Sequence, residues 1–195
     1  MGLNNRDFLI MTIRIISGTL KGKKLLSPDS NTTRPTSNRL REAIFNILRL
    51  HIQDADILDL FAGTGAMGIE ALSRGGKYAI FMEKDREAAM VIDKNIKRCS
   101  LEEKSAIIKR NVLSGMGFIK SLKDSFDLIF MDPPYNMELI KPALQNLCKN
   151  SLLKKEGFIV IEHSPMEPVP QGIKGLRLFD QRKYGSTMVS FIIKD

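Results

Sequence analysis

The sequence lacks long apolar runs. No stretch approaches the roughly 20 residues that cross a bilayer as a helix, so no membrane-spanning helix is expected. Cysteine is scarce. The two present, Cys99 and Cys148, fall in helical patterns, and neither belongs to a CxxC pair or a metal-type cluster. No metal site is expected, and two reduced thiols are the simpler reading, with a disulfide between them left open. Low-complexity segments are also missing. The first ten residues, Met1 to Ile10, contain Asp7 and have no small-residue cleavage site, so they do not read as a signal peptide. Met11 offers an alternative start, and 1–10 is taken as an extension of unknown role. What remains of the 195 residues alternates between apolar and polar segments, enough for one domain with a buried core and a small appendage. A cytoplasmic monomer that binds neither membrane nor metal is the expectation.

Charge is unevenly placed. Between Met11 and Leu50 eight basic residues (Arg14, Lys21, Lys23, Lys24, Arg34, Arg39, Arg41 and Arg49) stand against two acids, Asp29 and Glu42, so this segment carries +6 of the net +8. Charge gathered at one end suits a polyanion such as nucleic acid. A solvated lysine-rich face is the plain alternative, and charge alone does not choose. The chain divides into the extension 1–10, a basic segment 11–50 and a larger unit 51–195.

Ile13 to Ile16 reads as a short strand, and Lys24 to Leu26 as its return after turns at Gly18 and Gly22. Pro28 to Thr33 is loop chemistry. Arg34-Pro35-Thr36 then leads into a helix that Thr36 or Ser37 can cap. Its apolar face is Leu40, Ala43, Ile44, Ile47 and Leu48; Arg39, Glu42, Asn46 and Arg49 fall opposite. From Asp56 strand, turn and helix alternate. Strands are expected at Ile57 to Leu60, Tyr78 to Met82, Ala106 to Lys109, Phe126 to Met131 and Phe158 to Ile161, with Leu176 to Phe179 and Met188 to Ile193 as a closing pair. Helices are expected at Ile69 to Ser73, Asp85 to Arg98, Val112 to Leu122 and Met137 to Cys148, where Pro142 is tolerable in the first turns. This is the pattern of a doubly wound, mostly parallel α/β sheet covered on both faces. Such sheets bind ligands beyond the carboxyl ends of their strands.

The residues that follow those strands are therefore the ones to read for chemistry. After the first come Asp59-Leu60-Phe61 and glycines 63, 65 and 68, a GxGxxG turn that lets backbone approach a ligand. Dinucleotide enzymes share this turn, and a packing role alone would also explain it. After the second strand Glu83 sits where a carboxylate accepts both hydroxyls of a ribose. After the third, Asn111 can either reach an adenine edge or cap the next segment. After the fourth comes Asp132-Pro133-Pro134-Tyr135. Consecutive prolines stiffen the chain and leave carbonyls without local partners. A carboxylate and a rigid carbonyl can then both accept from an exocyclic amine while the ring stacks on its base. Hydride transfer has no use for that set. A non-catalytic RNA-binding module would leave the glycine turn idle.

These motifs resemble those of class I methyltransferases that modify amino groups and carry a (D/N)PP(Y/F) signature. Arg14-Ile15-Ile16-Ser17-Gly18, Arg34-Pro35-Thr36, Arg41-Glu42-Ala43-Ile44-Phe45-Asn46, Asp59 to Gly65, Glu162-His163-Ser164 and Tyr184-Gly185 extend the likeness over nearly everything from Ile13 onward. The chain looks like the bacterial 16S ribosomal RNA guanine-N2 methyltransferase family named for guanine 966. That resemblance implies a Rossmann-like fold, S-adenosylmethionine as cofactor, and 16S rRNA or the small-subunit particle as partner. It implies that Asp59, Phe61, Gly63, Gly65, Glu83 and Asn111 hold the cofactor. Asp132, Pro133, Pro134 and Tyr135 would hold the target guanine, and Lys21, Lys23, Arg34, Arg39 and Arg41 would grip RNA. Asn111 departs from the Asp common at its position. Tyr184 and Gly185 would lie near the site. His163 stands alone after a strand, with no triad or metal set beside it, so a packed structural role is expected. An adenine-N6 methyltransferase acting on DNA is the nearest chemical rival, weakened by the absence of a separate DNA-recognition domain.

Overall fold

The computed structural model describes residues 13–27 and 38–195. The extension 1–10, the loop from Pro28, the Arg34-Pro35-Thr36 motif and the helix cap expected at Thr36 or Ser37 lie outside the described residues. Among the described residues, strands β1 (Ile13–Arg14) and β2 (Lys24–Leu25) form an antiparallel hairpin. Seven more build the main sheet: β3 (Asp56–Leu60), β4 (Tyr78–Met82), β5 (Ser105–Ile108), β6 (Phe126–Met131), β7 (Leu153–His163), β8 (Leu176–Tyr184) and β9 (Thr187–Lys194). Their order is β5-β4-β3-β6-β7-β9-β8. β3 to β7 are mutually parallel, and β9 enters antiparallel between β7 and β8. The chain order reverses between β3 and β6, which puts a crevice at their carboxyl ends.

Helices α1 (Asn38–Ile47), α2 (Ala66–Ser73), α3 (Arg86–Cys99) and α4 (Ile140–Lys149) cover the sheet. Alternation along the strands separates two cores. Ile57, Phe81, Phe130 and Val160 pack on one face with α1, α2 and α3. Leu58, Leu60, Ile80, Met82, Ile129 and Ile159 pack on the other with α4. Both faces are covered, so every residue of β3 is buried, including the polar Asp59. Each fully buried Phe or Ile contributes about 1.5–3 kcal/mol.

Two helices differ from expectation. The stretch from Val112 to Leu122 is two short 3-10 segments, Val112–Ser114 and Gly117–Ser121. Gly115 between them adopts φ 96°, which no continuous α-helix contains. The helix placed at Met137 starts at Ile140, because Asn136 and Glu138 both take left-handed backbone. Cys99 and Cys148 are free thiols. No helix among the described residues is long and apolar enough to cross a membrane.

The hairpin is bolted to the main unit. The N–H groups of Ile16 and Ser17 donate to the Glu70 carboxylate at 2.7 and 3.0 Å. Thr19 N–H donates to the Ser73 carbonyl at 2.8 Å. The wholly buried Asn95 of α3 accepts from Leu26 N–H at 2.7 Å and donates to the carbonyls of Leu26 and Thr64. Thr64 belongs to the glycine turn, so one amide joins the basic hairpin to that turn.

Candidate active site

The strand register assembles the site. Leu60 lies opposite Met82 on β4 and Met131 on β6; Met82 opposes Ile108, and Met131 opposes Ile161. The residues just beyond therefore emerge along one edge: Phe61, Glu83, Asp132 and Glu162. Asp59 lies two residues before Phe61. Parity puts Asp59, Asp132 and Glu162 on the face that carries Phe130 and Val160. A small cavity is lined by all three acids together with Ile44, Met67, Phe130, Met131 and Val160.

The glycine turn has separate reasons for its glycines. At Gly68 a Cβ would come within 2.4 Å of the Phe81 ring, so this position is set by helix–sheet packing. At Gly63 the backbone takes φ 54°, and a Cβ would meet only the Phe61 carbonyl, at 4.0 Å. The space in front of Gly63 is open to a ligand. Phe61 shares the left-handed conformation, at φ 59°, and packs half-buried on the α4-side core. Glu83 braces the turn: its carboxylate accepts from Gly63 N–H and Asp85 N–H, each at 2.9 Å. A carboxylate offers about four acceptor positions, which leaves capacity for two ribose hydroxyls. Asn111 accepts from Leu113 N–H at 2.9 Å and so caps the 3-10 segment that follows it.

Asp59 accepts from Gly68 N–H at 2.9 Å. Burial pushes its carboxyl up to about 8; the Glu83 charge adds to this and the Gly68 N–H opposes it. An ordinary Asp loses its proton near 3.8. Between about pH 4 and about pH 8 the unfolded chain has released this proton while the folded chain keeps it, so stability falls as pH rises through that window. Asp59→Asn is expected to flatten the decline, read from urea midpoints at about pH 5 and about pH 8.

In the Asp-Pro-Pro-Tyr segment, Pro133 is buried, Asp132 half-buried and Tyr135 partly exposed. The Tyr135 hydroxyl donates to Glu162 Oε1 at 3.1 Å and meets Thr187 Oγ1 at 3.2 Å. Burial holds the phenol well above its usual range, and the Glu162 and Asp132 charges add to it against the Thr187 hydrogen bond, so Tyr135 stays protonated. Its ring is held by two strands far apart in sequence. The sequence assigns no role to Glu162 and gives no sign of Thr187; the signal for Glu162 was its place directly after the apolar run Phe158 to Ile161, although β7 itself extends to His163.

His163 is buried and structural: Nδ1 bonds the Ser164 carbonyl at 2.9 Å and Nε2 the Ser190 hydroxyl at 2.8 Å. Tyr184 ends β8, paired to Thr187, the neighbour of Tyr135, and Gly185 opens the β8–β9 turn. Lys21, Lys23 and Arg39 are exposed. Arg41 is not available to RNA. It is 1% exposed, its Nη2 donates to Arg14 O and to Asn38 Oδ1 at 2.8 Å, and its Nε lies 3.8 Å from Glu70 Oε2. Its helix position turns it inward beside Leu40 and Ile44, where Glu70 compensates its charge. Arg34 lies outside the described residues.

The sequence profile of the family described as Conserved hypothetical protein 95 matches residues 13–193. The ribosomal RNA small subunit methyltransferase D of Haemophilus influenzae is 37% identical over 161 residues, 80% of this chain and 81% of that protein. Its Escherichia coli namesake is 37% identical over 158 residues, 81% and 78% of the two chains. The solved Escherichia coli yhhF structure superposes with a TM-score of 0.82 at 30% identity, covering 94% of this chain and 98% of that one. The SMU.776 protein, solved with SAH, shares the fold at a TM-score of 0.64 and 14% identity, over 89% of this chain and 52% of that one. By its sequence and its Rossmann-like sheet, the chain belongs to the Conserved hypothetical protein 95 family of class I methyltransferases, alongside the small subunit methyltransferase D proteins.

Proposed function

We propose that this protein transfers a methyl group from S-adenosylmethionine to the exocyclic N2 amine of a guanine in 16S ribosomal RNA, the family position being guanine 966. The observation that carries the reading is Asp132-Pro133-Pro134-Tyr135 at the end of β6, beside the glycine turn and on the same sheet face as Asp59. The names of the relatives support the RNA class. Residues 51–195 would perform the transfer and the basic segment 11–50 would grip RNA, with no role assigned to 1–10.

The site fits the cofactor. Its open cradle at Gly63 and the spare acceptor capacity of Glu83 suit a nucleoside. Asp59, Phe61, Gly63, Gly65 and Glu83 would line it, with Asn111 near the adenine. S-adenosylmethionine supplies a methyl group that its positive sulfur has already made electrophilic. The residues of this chain then have one task, which is to prepare the nucleophile. The guanine amine is delocalised into its ring. Hydrogen bonds from N2–H to the Asp132 carboxylate and the Pro133 carbonyl favour a more tetrahedral nitrogen and aim its lone pair. As the new N–C bond formed and the methyl–sulfur bond broke, its electron pair staying on the sulfur as a neutral thioether, the amine would become acidic, and Asp132 or water would accept its proton. The base must be unpaired or flipped out to present this edge.

Small-subunit particles from a strain lacking the modification, incubated with labelled S-adenosylmethionine and digested, should yield N2-methylguanosine. N6-methyladenine in DNA would instead assign the rival substrate. RNA binding has its own test. Neutralising Lys21, Lys23 and Arg39 together should flatten the salt dependence of RNA affinity by roughly 0.7–0.9 slope units per lost phosphate contact. Cofactor affinity should stay unchanged. An unaltered slope would make these residues a solvated face only.

A further inference from the structure

Glu162 stands next to Asp132 yet has no part in the transfer described above. Met131 and Ile161 are register partners on parallel strands, so Asp132, just past the end of β6, and Glu162, still within β7 and paired with Val189 of β9, lie at one level. Both line the same cavity. The Tyr135 hydroxyl at 3.1 Å fixes one oxygen of Glu162 from one side, and Thr187 holds that hydroxyl in turn.

An ionised carboxylate only accepts hydrogen bonds. Two carboxylates side by side therefore suit a base whose edge shows two adjacent donors. Guanine does so, with N1–H beside its N2 amine. Adenine and cytosine each place an acceptor nitrogen beside their amine, so a second carboxylate would face a lone pair and leave both groups unpaired, which is costly in a water-poor site. The geometry points to Glu162 as the residue that selects guanine, accepting N1–H while Asp132 accepts N2–H. This rests on the reading that Asp132 holds the target amine. Tyr135 is then more than a stacking ring, because its hydroxyl holds the selecting carboxylate in place. If Glu162 served only to anchor Tyr135, glutamine could replace it, since an amide oxygen also accepts a phenol proton, and any loss would be the same for every base.

The test uses the full-length protein and small-subunit RNA assembled by ligation, with either guanine or 2-aminopurine at the target position. 2-Aminopurine keeps the 2-amino group but has a lone pair at N1. Single-turnover rates give a guanine to 2-aminopurine ratio for each enzyme, with calorimetric S-adenosylmethionine affinity as the check on folding. The wild type should prefer guanine by roughly tenfold or more, as for one hydrogen bond to a charged group. In Glu162→Gln, whose amide can donate to N1, the guanine rate should fall and the ratio should drop by roughly tenfold to a hundredfold. A ratio unchanged in a folded Glu162→Gln protein would overturn the assignment. Equal use of both bases by the wild type would overturn it without recourse to the variant, while leaving the methyltransferase reading intact. Failure of the wild type to methylate the guanine RNA at all would overturn the parent reading and this one with it.

Discussion

Asp132→Ala is expected to slow methyl transfer about 10²–10³-fold, the cost of removing one preorganised electrostatic contact that matters most as charge develops. The carboxylate directly follows the buried strand β6 and lines the cavity beside Glu162. S-adenosylmethionine affinity should change little, because Glu83 and the Gly63 turn lie on the β3–β4 side. Asp132→Asn keeps an acceptor oxygen without the charge, and its rate should fall between the two. Single-turnover measurements on saturating RNA check this. A wild-type rate in Asp132→Ala would remove Asp132 from the chemistry.

The largest stability effect should come from Glu70→Ala, far from any reacting atom. Glu70 is wholly buried. It accepts from Ile16 and Ser17 N–H, binds Arg74 Nε at 2.7 Å, and faces the buried Arg41. Burial lowers the Arg41 pKa and the Glu70 charge resists that shift. Alanine would leave a cation and two N–H donors without this partner, a loss of about 3–5 kcal/mol. For a chain of this size that corresponds to a melting temperature lower by roughly 6–20 °C. Adding Arg41→Met to Glu70→Ala should recover part of the loss, since the stranded charge is gone. Urea unfolding of the two single variants and the double variant gives the coupling. Additive losses would show that Arg41 and Glu70 do not depend on each other.

The sequence by itself determined the class of fold and the turns and motifs that stand at its strand ends. That information is local. A buried parallel strand reads as a short apolar run, a GxGxxG turn needs its glycines within six positions, and Asp132 to Tyr135 are contiguous. The strands from β3 to β6 lie within about a residue of where the apolar runs place them, and both cysteines are free thiols. Alternation stopped being informative where backbone conformation overrode it, as at Gly115 and Asn136.

Tertiary structure alone decided which side chains share a space. Arg41 counted as one more positive charge until α1 turned it onto Glu70, 29 positions away, so an apparent RNA contact became the bolt of the hairpin. Tyr135 meets Glu162 and Thr187, 27 and 52 positions distant, only because β7 pairs with β6 and β9 inserts beside β7, carrying Thr187 to the edge where β6 ends. Periodicity records whether a residue faces inward or outward along its own element. It carries no record of which residue of another element it will meet, and burial turns a charge into either a ligand contact or a structural pair according to that partner.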